Sequence, residues 1–327
     1  MKAQYIKGAK KLIENIGNVK SNEKVLIVSD YRMKDVAEVV NITVEAIGAE
    51  CVLCYMKPRE WDCQEPPAMI AAAMLAADVI MIPVSVSIAW TEAVRNAEKN
   101  GARVMLMTAF DLEIFCSDAL LKTNFQKRAE FCAQLADVYD AGRKIRLFTE
   151  KGTDLVFENG GRKMNKVGPV PVKGECRAAP DIEINVPPLE GTANGVLVVD
   201  GSIPYLGIGV LDNSVKCIVK DGRIVDIEGG KEAEILRANL KSFQDETVYN
   251  IAEFGIGLNP NAKLRGNMLE DEGVFGTVHI GIGSSCCFGG TVSAPIHYDL
   301  IIKDVNIELD GKLVQSGKNV LALENYH

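Results

Sequence analysis

The chain has 327 residues, of which 47% are hydrophobic and 24% are charged, and this length suffices for two domains that each bury a core. Its net charge of −8 argues against a generally basic surface, so we expect no binding to nucleic acids or to anionic membranes. The N-terminus shows no signal-peptide pattern, and the nine cysteines show no framework spacing. These features favour a cytoplasmic protein with free thiols.

The first 144 residues alternate short apolar runs with segments of helical spacing. Strands are predicted at 24–30, 51–56, 78–84 and 103–108. Helices are predicted at 34–50, 66–77 and 90–102, with one or two more over 111–142. This alternation is typical of a doubly wound parallel sheet, so we expect a Rossmann-like α/β domain over 1–144. No phosphate-binding glycine motif follows the first strand, and no nucleotide cofactor is expected.

After residue 145 the pattern changes to short alternating runs that are separated by Asp-Gly and Gly-Gly pairs. The Asp-Gly pairs at 221–222 and 310–311 predict β-hairpins. Residues 231–243 have apolar side chains at helical spacing and predict one helix among the strands. We therefore expect a β-rich α+β domain over 145–327.

Histidine is rare in this chain, and two of the three histidines lie close together. His279 and His297 are 18 positions apart, Asp299 follows the second by two residues, and His327 ends the sequence. Residues at i and i+2 of a strand point to the same face, so His297 and Asp299 are a ready pair of metal ligands. His279 on a neighbouring strand would supply a third ligand, and the glycines around it favour close approach of another group.

A site for two metal ions needs more carboxylates, because oxygen anions bridge the ions and balance their charge. Glu253 lies in an apolar, glycine-flanked strand pattern, where an unpaired carboxylate would be costly. Glu183 lies in an extended stretch between prolines. Both are candidate ligands, and Glu190 is left open.

Two further groups of reactive residues lie near the histidines in sequence. The acidic run Glu270, Asp271 and Glu272 is interpreted as a solvated turn. Cys286 and Cys287 are the nearby thiols, and they stay minor candidates for a nucleophile or a metal ligand.

The chain resembles the aminopeptidase T family of thermophilic metallo-aminopeptidases in the stretches PDIEINVPPLEGTANG, NIAEFGIGLNPNAKL and SAPIHYD. The resemblance implies an α/β N-terminal domain, a β-rich C-terminal domain and two divalent metal ions. On this resemblance, Glu183 and Glu253 match the two metal-site glutamates of the family. His279 matches its first histidine, and His297 with Asp299 matches its terminal H-x-D motif.

The resemblance has one departure at the site. In the aminopeptidases a tyrosine follows the first histidine by seven residues, and Cys286 stands at that position here. A second branch of the same superfamily, the iron-dependent 2,5-dihydroxypyridine dioxygenases, is similar in length and opens an aromatic ring with an H…H-x-D triad. His279, His297 and Asp299 have this composition, which is that of the non-haem iron triad.

The preferred hypothesis is a metal-dependent hydrolase, an aminopeptidase-like metalloprotease that cleaves an amide of a small molecule or short peptide with a metal-activated water. Zinc, cobalt or manganese ions, two being expected, would be bound by Glu183, Glu253, His279, His297 and Asp299. Glu183 and Glu253 would also act in catalysis, with Glu183 as a bridge between the ions or as the general base.

Two other hypotheses are kept. The alternative is a mononuclear iron dioxygenase of a 2,5-dihydroxypyridine-like N-heterocycle, with Fe(II) as its cofactor. The third is a non-catalytic binding protein that retains a structural metal. In each case we expect a homo-oligomer, a dimer or higher.

Overall fold

The structure is a computed structural model that describes residues 3–167, 172–286 and 288–323. The chain divides into two compact units. The first is Met1–Ala129, Gly168–Ile182 and Pro260–Ala262, and the second is Glu130–Val167, Glu183–Asn259 and Lys263–His327. The domain limits expected at 144 and 145 stay a prediction, because a compact unit and an independently folding domain are different properties.

The helices occur mainly in the first half of the chain. In chain order they are α1 (Ala3–Lys10, continued by a π-helix at Lys11–Ile16), α2 (Lys34–Ile47), α3 (Ala68–Met74), α4 (Glu92–Lys99), α5 (Asp118–Leu121), α6 (Phe125–Ala141), α7 (Lys231–Ser242) and α8 (Met268–Asp271). Short 3-10 helices lie at Ile114–Cys116, Glu246–Tyr249 and Leu321–Leu323.

The strands continue through both units. In chain order they are β1 (Lys24–Asp30), β2 (Glu50–Met56), β3 (Val79–Ile82), β4 (Arg103–Leu106), β5 (Lys144–Phe148), β6 (Asp154–Glu158), β7 (Asn165–Val167), β8 (Cys176–Ala178), β9 (Glu183–Val186), β10 (Asn194–Val199), β11 (Ser202–Ile203), β12 (Gly209–Val210), β13 (Val215–Lys220), β14 (Arg223–Glu228), β15 (Ile251–Gly257), β16 (Val278–Gly283), β17 (His297–Ile302), β18 (Asn306–Leu309) and β19 (Lys312–Ser316).

The first unit is built on a parallel sheet in the order β2-β1-β3-β4-β8. The apolar residues of β1 and β3 are buried, as are Val104 and Met105 of β4, because helices cover a sheet of this type. Gly48 ends α2 in the left-handed conformation at φ 86°, as expected of a C-cap glycine. The four strands and three helices predicted here are confirmed, whereas β8 was not predicted.

The second unit contains two antiparallel sheets. Their strand orders are β14-β13-β10-β6-β5-β18-β19 and β12-β11-β17-β16-β15-β9-β7. Both predicted hairpins form, and each has a two-residue Asp-Gly loop whose residues take positive φ angles. Aspartate followed by glycine suits such a loop, because both residues tolerate this conformation. The expected fold class, a parallel α/β part with a β-rich part, is therefore confirmed.

The sheet that ends in β12 and β7, here called the site sheet, has two different faces. Residues of even number on its central strands are apolar, and the ring of Phe254 packs 5.3 Å from Phe157 and 6.0 Å from Tyr139. Residues of odd number point to the other face, since side chains alternate along a strand. On β15 and β16 both faces are buried. A buried polar face must therefore satisfy its charges internally.

None of the helices within residues 3–167, 172–286 and 288–323 combines the length and the hydropathy that a transmembrane span requires.

Candidate metal site

The odd-numbered face of the site sheet carries all five residues that the sequence pointed to. They lie on four strands: Glu183 on β9, Glu253 on β15, His279 on β16, and His297 and Asp299 on β17. Strand pairing places each of them directly opposite a glycine of the neighbouring strand: Glu183 opposite Gly257, Glu253 and Asp299 opposite Gly281, His279 opposite Gly255, and His297 opposite Gly283. Polar side chains and glycines therefore alternate across the sheet.

The glycines are needed because the functional side chains lie across them. A β-carbon added at Gly255 would be 1.9 Å from Nε2 of His279. At Gly281 it would be 2.6 Å from Cε1 of His297 and 2.8 Å from Cβ of Glu253. Both distances are far below ordinary van der Waals contact, so only glycine permits these side chains to converge.

Glu253 stands at the centre of the cluster and faces one imidazole with each carboxylate oxygen. Its Oε1 is 3.8 Å from Nε2 of His279, which is also 2.9 Å from Oε2 of Glu183. Its Oε2 is 2.9 Å from Nε2 of His297, which is also 3.3 Å from Oδ1 of Asp299. Two groups result, each with one imidazole and two carboxylates whose donor atoms lie within 4.8 Å of one another.

The two outer carboxylates are each fixed by a neutral donor that binds one of their oxygens. Asn185 donates to Oε1 of Glu183 at 2.6 Å, and Asn165 donates to Oδ1 of Asn185 at 2.9 Å. Tyr205 donates its hydroxyl proton to Oδ2 of Asp299 at 2.6 Å. The other oxygen of each carboxylate is thereby directed to the imidazoles. Sequence inspection missed these three polar partners. Asn185 lies at i+2 from Glu183 on β9 and could have been found from that spacing, whereas no spacing signal connects Asn165 or Tyr205 to the ligands.

The tautomer of His297 is set by the loop before β17. Its Nδ1 lies 2.8 Å from the carbonyl oxygen of Ser284, which can only accept, so Nδ1 carries a proton and donates. The Nε2 lone pair is then available to a metal ion, as in many metal-binding histidines. The ring of Phe288 packs against the imidazole at 4.7 Å between centroids.

The site contains buried polar atoms that a cation would satisfy. Within the described residues, Oε2 of Glu183, Nδ1 of His279, Nε2 of His297 and Oδ1 of Asp299 are buried and make no hydrogen bond of good geometry. Leaving several such atoms unmet is costly in a protein interior. Carboxylate oxygens and imidazole nitrogens that converge on one point are donors for a divalent transition metal. The residues present therefore fit a bound divalent ion.

Opposite charges within the cluster raise the pKa values of its two imidazoles and lower the pKa of Asp299. Burial opposes protonation of His279, but the Glu183 carboxylate overcomes this and raises the pKa of His279 well above its ordinary value. Burial likewise opposes protonation of His297, and Asp299 and Glu253 raise its pKa well above the ordinary value. Burial would raise the pKa of Asp299, but His297 lowers it. Without a metal ion, protons therefore occupy the positions where a cation would bind.

The acidic run after Asn267 is not a solvated turn, and this prediction was wrong. Glu270, Asp271 and Glu272 are 2%, 0% and 8% exposed. Asp271 accepts from the hydroxyl of Ser202 at 2.6 Å and from two backbone N–H groups, while Arg265 pairs with Glu270 at 2.7 Å. Glu270 and Asp271 are buried because these donors surround them, which the local sequence does not reveal.

Three other sequence candidates lie apart from the cluster or outside the described residues. Glu190 pairs with Arg162 at 2.7 Å and accepts from a backbone N–H; although burial acts in the opposite direction, these contacts lower its pKa to about 2. Cys286 is exposed and belongs to neither ligand group of the site sheet. Cys287 and His327 lie outside the residues that the structure describes.

Comparison with known proteins decides between the two branches named from sequence. The model of the NicX family, 2,5-dihydroxypyridine 5,6-dioxygenase, matches residues 10–321. The chain belongs to this family. A 2,5-dihydroxypyridine 5,6-dioxygenase of Pseudomonas putida KT2440 is 32% identical over 147 residues, which are 42% of this chain and 42% of that protein. The matched segment thus spans less than half of the curated relative.

Solved structures show the same fold in both branches. The 2,5-dihydroxypyridine dioxygenase of Pseudomonas putida KT2440 superposes with a TM-score of 0.85 at 21% identity, over 99% of each chain. Wild-type AmpT of Thermus thermophilus superposes with a TM-score of 0.64 at 12% identity, over 97% of this chain and 99% of that one. At these identities the two superpositions show the fold alone.

The preferred hypothesis of a hydrolase is wrong, and so are its aminopeptidase and metalloprotease assignments. The family match over residues 10–321 assigns the chain to the dioxygenases, which was the alternative. The error has a chemical cause: imidazoles and carboxylates bind hydrolytic and redox-active metals alike. A list of ligands therefore did not distinguish the two reactions.

Proposed function

We propose that the protein is an iron-dependent dioxygenase that opens the ring of 2,5-dihydroxypyridine or of a closely similar hydroxylated N-heterocycle. The observation that carries this proposal is the family match, which spans residues 10–321 and includes every candidate ligand. The buried cluster of imidazoles and carboxylates supports it, because this family requires a metal ion and the cluster offers donors for one.

Within the cluster, Glu253, His297 and Asp299 would hold a single Fe(II) ion. His297 is the most accessible of the candidate ligands, with 18% of its side chain exposed, whereas His279 is 1% exposed. A catalytic ion needs positions open to substrate, which favours the group around His297. His279 would stay protonated between Glu183 and Glu253 and would hold the central carboxylate in place.

This ligand set differs from the usual one of non-haem iron oxygenases. The usual set has two imidazoles and one carboxylate. The proposed set has one imidazole and two carboxylates. The imidazole of His279 is not part of this set, and its Nε2 lies 3.8 Å from Oε1 of Glu253, the carboxylate oxygen that does not face His297. A second carboxylate adds negative charge to the site and favours a divalent cation over a neutral ligand.

The surroundings of His297 suit a flat aromatic substrate. The ring of Phe288 lies 4.7 Å from the imidazole, and the hydroxyl of Tyr205 is bonded to Asp299. Aromatic walls bind planar heterocycles by stacking. When bound, Fe(II) supplies the redox chemistry that allows dioxygen to react with an electron-rich ring. The chain itself positions the ring and holds the ion.

The test is oxygen uptake by protein that has been reconstituted with Fe(II) without oxygen. We expect about one iron per chain and consumption of oxygen when 2,5-dihydroxypyridine is added. His297→Ala and Glu253→Gln should lose both iron and oxygen uptake, because each removes a ligand. Glu190→Gln is the matched control and should keep both, since Glu190 binds Arg162 away from the cluster.

Two results would contradict the proposal. One is an iron-loaded protein that consumes no oxygen with any hydroxylated pyridine. The other is a His297→Ala variant with the iron content and oxygen uptake of the wild type. We further propose a homo-oligomer, which sedimentation of the purified protein would test: a monomer at all concentrations would contradict it.

A further inference from the structure

Tyr205 lies on the short hairpin loop between β11 and β12, far in sequence from the cluster. Ser202 of β11 pairs with Ile301 of β17, so the loop that follows runs beside the start of β17. Leu206 and Gly207 take positive φ angles of 59° and 70°, and Ile208 donates its backbone N–H to the Tyr205 carbonyl at 2.9 Å. This tight turn fixes the backbone that carries the tyrosine.

Two contacts fix the side chain of Tyr205 at both ends. Its ring stacks on Tyr298 with 4.8 Å between centroids and 30° between planes. Its hydroxyl donates to Oδ2 of Asp299 at 2.6 Å, a length typical of a hydrogen bond to a charged carboxylate. The phenol therefore donates one hydrogen bond to Oδ2 of Asp299 and restrains the orientation of the carboxylate.

The remaining oxygen of Asp299 is then left for a metal ion. Oδ1 is buried, makes no hydrogen bond within the described residues, and lies 3.3 Å from Nε2 of His297. A carboxylate held in this way has a restricted orientation, and Oδ1 is the oxygen that it directs to His297. The aminopeptidases have a tyrosine seven residues after the first histidine, where this chain has Cys286; here a phenol reaches the cluster from a different loop.

We propose that Tyr205 is a positioning residue that orients Asp299 for metal binding through its hydroxyl group. The proposal rests on the proposed function to the extent that it takes Asp299 as a metal ligand. It needs neither oxygen nor substrate, and so it can be tested apart from the reaction. Groups that orient a metal ligand typically change metal affinity by about 10- to 100-fold when they are removed.

The experiment is a titration of metal-free protein with Co(II), whose visible absorption reports the number and geometry of its ligands. Tyr205→Phe keeps the ring and its stack on Tyr298 but removes the hydroxyl. Tyr205→Leu removes both. Tyr249→Phe, on a 3-10 helix outside the cluster, removes a hydroxyl elsewhere in the same unit and serves as the control. Near-ultraviolet circular dichroism of the metal-free proteins verifies that each variant is folded.

The expected result is that Tyr205→Phe and Tyr205→Leu both weaken Co(II) binding by about 10- to 100-fold, to a similar degree, and alter the visible spectrum. Tyr249→Phe should bind as the wild type does. Wild-type affinity and spectrum in Tyr205→Phe would overturn the proposal. A loss in Tyr205→Leu alone would also overturn it, because packing of the ring would then be the cause. Absence of oxygen uptake in any protein bears only on the dioxygenase proposal.

Discussion

Gly281→Ala offers a sharp test of how the site sheet makes room for its ligands. Gly281 lies opposite both Glu253 and Asp299, and its backbone does not need the left-handed conformation, so the effect of alanine is steric. The new β-carbon would lie 2.6 Å from Cε1 of His297. To regain ordinary contact, the imidazole must move by about 0.8 Å.

A displacement of this size should abolish strong metal binding. Metal–ligand distances are held to within about 0.2 Å, so His297 would leave the coordination sphere. We expect metal affinity to fall about 100-fold or more, and the metal-free protein to lose about 1–3 kcal/mol of unfolding free energy from overpacking. Co(II) titration and urea unfolding of the metal-free protein measure the two effects separately.

Ile280→Val is the matched control for Gly281→Ala. Ile280 is the adjacent residue on β16, is fully buried and points to the apolar face. Its shortening should cost about 1 kcal/mol of unfolding free energy and leave metal affinity unchanged. If Gly281→Ala instead binds Co(II) with wild-type affinity and spectrum, the argument that glycine is required beneath His297 is refuted.

Four further outcomes are expected. Because the pKa of His297, the proposed imidazole ligand, is raised well above the ordinary value in the metal-free protein, apparent metal affinity should fall about tenfold per pH unit as the pH drops below that pKa; a pH-independent affinity would contradict this. Protonated His279 and His297 also stabilise the metal-free protein, because their pKa values are raised in the folded state. This contribution to the unfolding free energy is fully present below about pH 6.5 and is lost as the pH rises through the raised pKa values. Urea unfolding at a series of pH values measures it. Asp271→Ala leaves three hydrogen-bond donors without an acceptor and should lower the free energy of unfolding by about 3 kcal/mol. A loss of less than about 1 kcal/mol in urea unfolding would contradict this prediction. Phe288→Ala should raise the KM for a hydroxylated pyridine about 3- to 10-fold while Co(II) affinity is kept, and an unchanged KM would exclude Phe288 as a wall of the substrate site.

Much of the fold could be predicted because its local signals are strong. The strand at Lys24–Asp30 and the helix that ends before Gly48 follow directly from apolar periodicity and a C-cap glycine. The Asp-Gly loops likewise fixed two hairpins, since few other residue pairs suit their backbone angles. Strand β8 escaped prediction because three residues carry too little periodicity to identify a strand.

The candidate site was only partly accessible from sequence. The H-x-D pair and the isolated glutamates led to five residues that the structure brings together, although their role as metal ligands stays a prediction. The contact of Tyr205 and the burial of Asp271 depend on the path of loops, which leaves no trace in the spacing. Asn185 lies at i+2 from Glu183 and was overlooked although the spacing placed both on one face of the strand. The choice of reaction was wrong for another reason, because the same donors serve several metals.

The alternation of ligands and glycines across the site sheet also makes the sheet intolerant of mispairing. If β16 shifted by one residue against its neighbours, Ile280 would point to the cluster and His279 and Gly281 would point to the apolar face. Such a chain could not bind a metal ion, whereas a correctly paired one gains stability from it, by about 4 kcal/mol when the free ion is at 1,000 times its Kd. The metal ion would thus favour molecules in which β15, β16 and β17 have aligned correctly, because its proposed ligands lie on β15 and β17 and β16 runs between these two strands.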